Sequence, residues 1–135
     1  MTDPATLLAL AERCEQAAGP DGGLDQDITK LLVPRNAEHV HRSRHGWSFI
    51  VSGSGKGVEW LENQPYTASL DAAIALVPEG HEWLRKNPES MTVYRVPDDL
   101  KEWAQHIYGR GATLALALCA AALRARAAIG LSRNA

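Results

Sequence analysis

The sequence predicts an α+β fold: an α/β/α layered sandwich in which a mostly antiparallel sheet is covered by N-terminal, middle and C-terminal helices. Three observations predict it. Capped segments with apolar residues at helical spacing stand at both ends and in the middle of the chain, and short β-branched and aromatic segments lie between them. Those strand-like segments group as a hairpin and a meander, and each amphipathic helix needs a sheet face to cover. At 135 residues the chain is one domain, 1–135, with a single core.

The first helix is read in TDPATLLALAERCEQAAGP. Thr2 or Asp3 is the N-cap, Pro4 takes the first helical position, and Gly19-Pro20 is the stop. Leu7, Leu10, Ala11, Cys14, Ala17 and Ala18 form its apolar stripe. After Asp21-Gly22-Gly23, LDQDITKLLVP predicts a second helix with Asp25 as cap, Ile28, Leu31 and Leu32 inward, and Pro34 at its end. Residues 35–46 (RNAEHVHRSRHG) are polar and lack periodicity, which predicts a loop or an irregular lead into a strand.

WSFIV (47–51) and VEWLE (58–62), separated by SGSGKG, predict a hairpin with a glycine-rich tip. In YTASLDAAIALVP, Thr67 or Ser69 is an N-cap, with Leu70, Ala73, Ile74 and Val77 at helical spacing before Pro78. HEWLR, MTVYRV and WAQHIY, split by Asn87-Pro88 and Pro97-Asp98-Asp99, predict an antiparallel meander. The last helix starts at Thr113, with Leu114, Leu118, Ala121, Ala125 and Ile129 on one stripe and Leu116, Cys119 and Leu123 widening it. Its alanines predict close packing on the sheet. An echo between ASLDAAIAL (68–76) and ATLALALCA (112–120) is too short to establish a repeat.

With 45% apolar and 22% charged residues, composition excludes the disordered, collagen-like and membrane classes. The formal charge of -2 attracts no nucleic acid globally. Its distribution is uneven, at -4 over residues 1–34, +3 over 35–58, -5 over 59–102 and +4 over 103–135. Cys14 and Cys119 fall on apolar helix faces, which predicts buried thiols rather than a disulfide. The longest apolar run, Leu114 to Leu123, is ten residues, well short of the ~20 that span a bilayer, and no signal peptide precedes the first helix. The expectation is a soluble protein of a reducing cytoplasm with no membrane partner.

The densest polar cluster is EHVHRSRHGW, with His39, His41 and His45 among Arg42 and Arg44. In an extended chain His39 and His41 point to one side, a start for zinc, yet the two arginines repel a dication and no carboxylate pair completes the set. No metal and no cofactor are expected. Arg35, Arg42, Arg44 and Lys56 are candidate anion contacts, and the histidines make the patch responsive to pH between about 5 and 7. SGSGKGV lacks the Walker spacing and leads into a strand. Gly109-Arg110-Gly111 before the last helix offers amides and a guanidinium at a helix N-terminus, although a tight turn also requires glycines. Trp47, Trp60, Trp83 and Trp103 stand in strand segments, where burial is favoured over a stacking platform for bases. Neither cysteine, nor Ser52 or Ser54, has an assignable base, so no enzyme is expected.

Three stretches, LLALAERCEQAAGPDGGLDQDI (7–28), QPYTASLDAAIALVPEG (64–80) followed by Trp83, and YGRGATLALALCAAALRAR (108–126), resemble the phage ABA sandwich domain family, whose members are small phage and prophage proteins. The resemblance implies an α/β/α arrangement and a phage or prophage origin, and no catalytic residue comes with it. Where similar proteins often carry proline after the Gly-x-Gly-Ala-Thr turn, this chain has Leu114. The function expected from it is that of a non-enzymatic accessory protein in the host cytoplasm. It would bind a host or phage protein, most concretely as an inhibitor of a host defence complex of the anti-CRISPR kind. Alternatives are a nucleic-acid-binding protein using Arg35, Arg42, Arg44, Lys56, Arg110, Arg124 and Arg126, a binder of a small anion at Gly109 to Thr113, or a virion component. Oligomeric state is not encoded in any of these features.

Overall fold

The computed structural model describes residues 3–34, 36–51, 57–95 and 106–133, with side chains in the final helix as far as Gly130. In chain order the described elements are α1 (Pro4–Gln16), α2 (Gly22–Lys30), β1 (Ala37–Ser43), β2 (Gly46–Val51), β3 (Val58–Glu62), α3 (Leu70–Ile74), β4 (His81–Asn87), β5 (Ser90–Arg95), β6 (His106–Arg110) and α4 (Leu114–Arg133). The class is α+β, and every strand pair is antiparallel. The strands divide into two sheets, β1-β2-β3 and β4-β5-β6, in place of one. The expected turn at Pro97-Asp98-Asp99, together with Trp103, lies outside the described residues.

Local chemistry places most of these elements where the spacing predicts. Pro4 opens α1, and Leu7, Leu10, Ala11 and Cys14 are its buried face. Helix α2 starts earlier than expected, because Asp21 is the cap and its carboxylate accepts from the Leu24 amide at 3.0 Å. Asp25, expected as that cap, lies in the first turn instead. It accepts from the amide and the hydroxyl of buried Thr67, each at 2.8 Å, and the Thr67 hydroxyl oxygen accepts from the Asp21 amide at 2.8 Å. Thr67 thus ties α2 to the approach to α3, and Ser69 caps α3.

The segment expected as a loop contains strand β1, paired along β2 from Ala37↔Val51 to Ser43↔Gly46. As a sheet edge it is exposed at every position but Ala37, so neither face carries an apolar signal. A bulge between Glu38 and His41, with His39 at φ 51°, interrupts the alternation as well.

The core is built around α4. Residues 116–123 are fully buried without exception, so the two expected stripes merge into a helix enclosed on all sides. It packs against α1, α3, β5 and β6, while α2 sits against α1 and β2. Contact with β6 is backbone to backbone. A Cβ on Gly109 would stand 2.2 Å from the Ala117 carbonyl oxygen and 2.5 Å from the Ala121 amide, and one on Gly111 would stand 2.8 Å from the Ala117 amide. Cys14 and Cys119 are buried thiols, as expected. The Cys119 thiol donates to the Tyr66 carbonyl at 3.3 Å, and the neighbouring Cys14 thiol and burial push its pKa far up, so it stays protonated.

Across the seam between α1 and α4, Arg124 donates to both carboxylate oxygens of Glu15 at 2.6 Å and to the Tyr108 carbonyl at 3.0 Å. Glu15 also accepts from the Arg110 amide at 2.9 Å. Among the described residues no helix is long and apolar enough to cross a membrane.

Two outcomes follow from this packing. Gly109→Ala is expected to cost about 3 kcal/mol and lower Tm on the order of 10 °C in thermal unfolding, because backbone cannot yield as a side chain does. Gly19→Ala, where a Cβ meets nothing within 4 Å, should leave Tm close to wild type. The Arg124 guanidinium, helped by the Arg110 amide, holds the Glu15 carboxyl below its ordinary value. Its contribution is therefore complete above the ordinary glutamate pKa of about 4.3 and is lost as pH falls through the lower folded value. Glu15→Gln should unfold about 1–3 kcal/mol more easily in urea at pH 7. The gap to wild type should narrow at pH 3.

Candidate functional site

The basic cluster expected as a binding patch lies partly on β1 and the turn that follows it. Arg35 and Lys56 lie outside the described residues. Arg42 is spent on structure: its guanidinium donates to Gln26 Oε1 through Nε at 2.8 Å and again through Nη2, lies 3.9 Å from Asp27, and sits 5.8 Å from the centre of the Trp47 ring. Arg44 is exposed and its carbonyl accepts from Asn63 Nδ2. His45 is exposed in the turn between β1 and β2, where its amide donates to the Ser43 hydroxyl. The bulge also separates the histidines that an unbroken strand would align. His41 pairs with Ser48 and shares its face with Glu38, which pairs with Ile50, whereas His39 falls in the extra residue between them. Among the described residues no three or more His, Cys, Asp or Glu side chains gather as a metal site.

The C-terminal basic block is likewise committed inward. Arg124 is paired with Glu15, and Arg126 donates from Nε to the Leu76 carbonyl at 2.7 Å, its guanidinium pKa pushed down by burial. Neither arginine is a free surface cation. The turn at Gly109 to Thr113 already holds an anion of its own. The Arg110 amide donates to Glu15, the Gly111 amide donates to the Glu89 carbonyl, and the Thr113 hydroxyl caps α4 at the Leu116 amide. The glycines there serve the close approach to α4, and Arg110 is exposed.

Of the tryptophans, Trp47 is buried and Trp83 half-buried on the core, but Trp60 is 52% exposed, against the expectation of burial. It pairs with Ser48 on the outer face of β1-β2-β3, beside the Ile50 and Val58 pair.

The most developed surface lies on the other sheet. Register puts Met91, Val93 and Gly109 toward α4, so Thr92, Tyr94, His106 and Tyr108 stand on the opposite face. Tyr94 and His106 pair directly across β5 and β6, and their rings stack with centroids 5.1 Å apart at 20°. Two residues along β6, the Tyr108 ring follows at 6.5 Å and 27° from His106. A bulge places Lys86 between Arg85 and Asn87 of β4, and its ammonium stands 4.3 Å from the centre of the Tyr108 ring. To reach β6 from β4 the lysine stem crosses β5, two strand spacings of about 4.8 Å each. A cation over an exposed ring gains only about 0.5–1 kcal/mol, so this contact exchanges readily.

Lys86, Leu84, Arg85, His106 and Tyr108 rim an open depression with Thr92 at its floor. Thr92 is 1% exposed and its hydroxyl has no hydrogen-bond partner. Sequence reading passed over this face because it looked for tryptophan. The available signal was the period-2 placement of Thr92 with Tyr94 and of His106 with Tyr108, opposite Met91, Val93 and Gly109.

No protein-family model matches the chain, and neither a curated protein nor a solved structure matches it significantly. Thr92→Val keeps the shape of the floor and deletes a hydroxyl that makes no bond. It is therefore expected to leave Tm unchanged or raise it by a few degrees in thermal unfolding, where loss of a hydrogen-bonded hydroxyl would lower it.

Proposed function

We propose that the protein is a non-enzymatic binding protein whose working surface is the open face of β4-β5-β6. The observation that carries this reading is the stack of Tyr94, His106 and Tyr108, with Tyr108 47% and Leu84 39% exposed on a sheet whose other face turns Met91, Val93 and Gly109 toward α4. Solvent-facing aromatics beside a buried hydroxyl without a partner favour a surface that is completed by a ligand. The chain's strongest ionisable contacts point away from catalysis. Glu15 and Arg124 neutralise each other, Arg126 serves the Leu76 carbonyl, and the Cys119 thiol is held protonated.

The finer reading is that of a phage or prophage accessory protein acting in the host cytoplasm on a host defence or regulatory complex. The three stretches that resemble phage proteins support that origin. Expression of the full chain in a phage-susceptible bacterium carrying an active defence system tests it. Phage plating efficiency is expected to rise at least tenfold. The double variant His106→Ala/Tyr108→Ala, which alters only the exposed face, should lose that effect while keeping the wild-type Tm. No change in plating or in defence activity on expression overturns the accessory role, and an undiminished effect from the double variant overturns the assignment of the face.

A further inference from the structure

We propose that this face binds single-stranded nucleic acid, with one base entering between His106 and Tyr108 and the flanking phosphates met by Lys86 and Arg110. The proposal rests on the binding role given to this face above and names its ligand.

Four observations carry it. The near-parallel rings of His106 and Tyr108 have centroids 6.5 Å apart, nearly twice the about 3.4 Å rise between successive bases of a strand. One planar ring inserted between them meets an aromatic face on each side, and every base has such a face to offer. Tyr94, across from His106 on β5, stacks on the same histidine ring.

The cations stand at the Tyr108 end. Lys86 lies over that ring, and Arg110 is exposed two residues beyond Tyr108 on the same face. A base that takes the lysine's place on Tyr108 releases the ammonium toward the adjoining phosphate. At the Tyr94 end the cross-strand neighbour is Glu82, so the positive charge is confined to one side and gives the strand a direction.

Thr92 supplies the polar contact. Its hydroxyl both donates and accepts, is buried without a partner, and lies in the floor beneath these rings, where the edge of an inserted base brings both kinds of group. The surface is also wrong for a duplex. Two cations on a three-stranded sheet, in a chain of formal charge -2, do not make the continuous basic track that two phosphate backbones require, and stacked bases in a duplex have no free faces to give.

Fluorescence anisotropy of the full chain with labelled 15-nucleotide oligodeoxythymidylate, oligouridylate and a 15-base-pair DNA duplex tests the proposal. One or both single strands are expected to bind at 50 mM salt, the comparison distinguishing DNA from RNA, and the duplex should bind at least tenfold more weakly. Two phosphate contacts predict about a sevenfold loss of affinity between 50 and 200 mM salt, from a slope of about 0.7 per phosphate on single strands. Tyr108→Ala should weaken binding at least about fivefold, and Tyr108→Phe should restore most of that loss, because stacking needs the ring and not the hydroxyl. Absence of single-strand binding at 50 mM salt, equal binding of the duplex, or wild-type affinity in Tyr108→Ala overturns the proposal. If oligonucleotides fail to bind while the double variant still loses its effect on infection, the face serves a partner of another class, and only this inference falls. If oligonucleotides bind as expected while expression changes neither plating nor defence activity, the ligand stands and the accessory role falls.

Discussion

Helix α4 lies against β6 at a distance that no side chain permits, and the rest of the molecule is arranged around that contact. Gly109 and Gly111 remove the strand's own bulk, and Ala117, Ala120 and Ala121 remove the helix's. An apolar helix of ordinary leucine content would stand off the sheet by a further side-chain layer. Here the saving lets the helix sink until residues 116–123 are wholly enclosed, with α1 and α3 closing over what the sheet does not reach. Enclosure then obliges every polar group nearby to find a partner inside the protein. The Cys119 thiol uses the Tyr66 carbonyl, Arg126 uses the Leu76 carbonyl, and Arg124 uses Glu15. Charges that look like surface charges in the sequence are thus the outer fastenings of the core.

What was legible in the sequence was what periodicity and capping chemistry report. The helix of residues 4–16, the hairpin around residues 47–62 and the hydroxyl caps at Ser69 and Thr113 all follow from local rules, and each stands where those rules place it. The failures share a physical cause, since each depends on a partner distant along the chain. Asp21 and Asp25 are equally good caps by residue type. Thr67, more than forty residues away, decides between them by drawing Asp25 to itself. Strand β1 gives no alternating signal because both its faces are wet and its bulge at His39 shifts the phase. Arg124 and Arg126 read as free cations because nothing local marks Glu15 or the Leu76 carbonyl as their destinations.

The candidate site was less legible than the fold for a related reason. Tryptophan is the most conspicuous aromatic residue, but Trp47 went to the core, and the exposed stack was assembled from two tyrosines and a histidine on two strands. Only the cross-strand register, with Tyr94 opposite His106 and Thr92 opposite Tyr108, turns four unremarkable residues into one surface. Contacts inside the core join segments that lie far apart along the chain. Residues 7–28, 64–80 and 108–126 meet one another through Thr67 and Asp25, Tyr66 and Cys119, and Glu15 and Arg124.

Core and surface are nevertheless joined at β6. Because side chains alternate along a strand, placing Gly109 against α4 sends Tyr108 and Arg110 to the other face with no further choice. The backbone at those two residues is then held from the helix side: Arg124 donates to the Tyr108 carbonyl, and Glu15 accepts from the Arg110 amide. A single ion pair therefore grips the main chain on both sides of the glycine. An exposed ring on a free edge strand would drift with that strand, at a cost in ordering whenever a ligand bound. Here the strand is clamped before any ligand arrives, and the residues left to adjust are the Tyr108 ring and the lysine resting on it. The close packing that encloses residues 116–123 of α4 is the same packing that decides which side chains β6 turns outward.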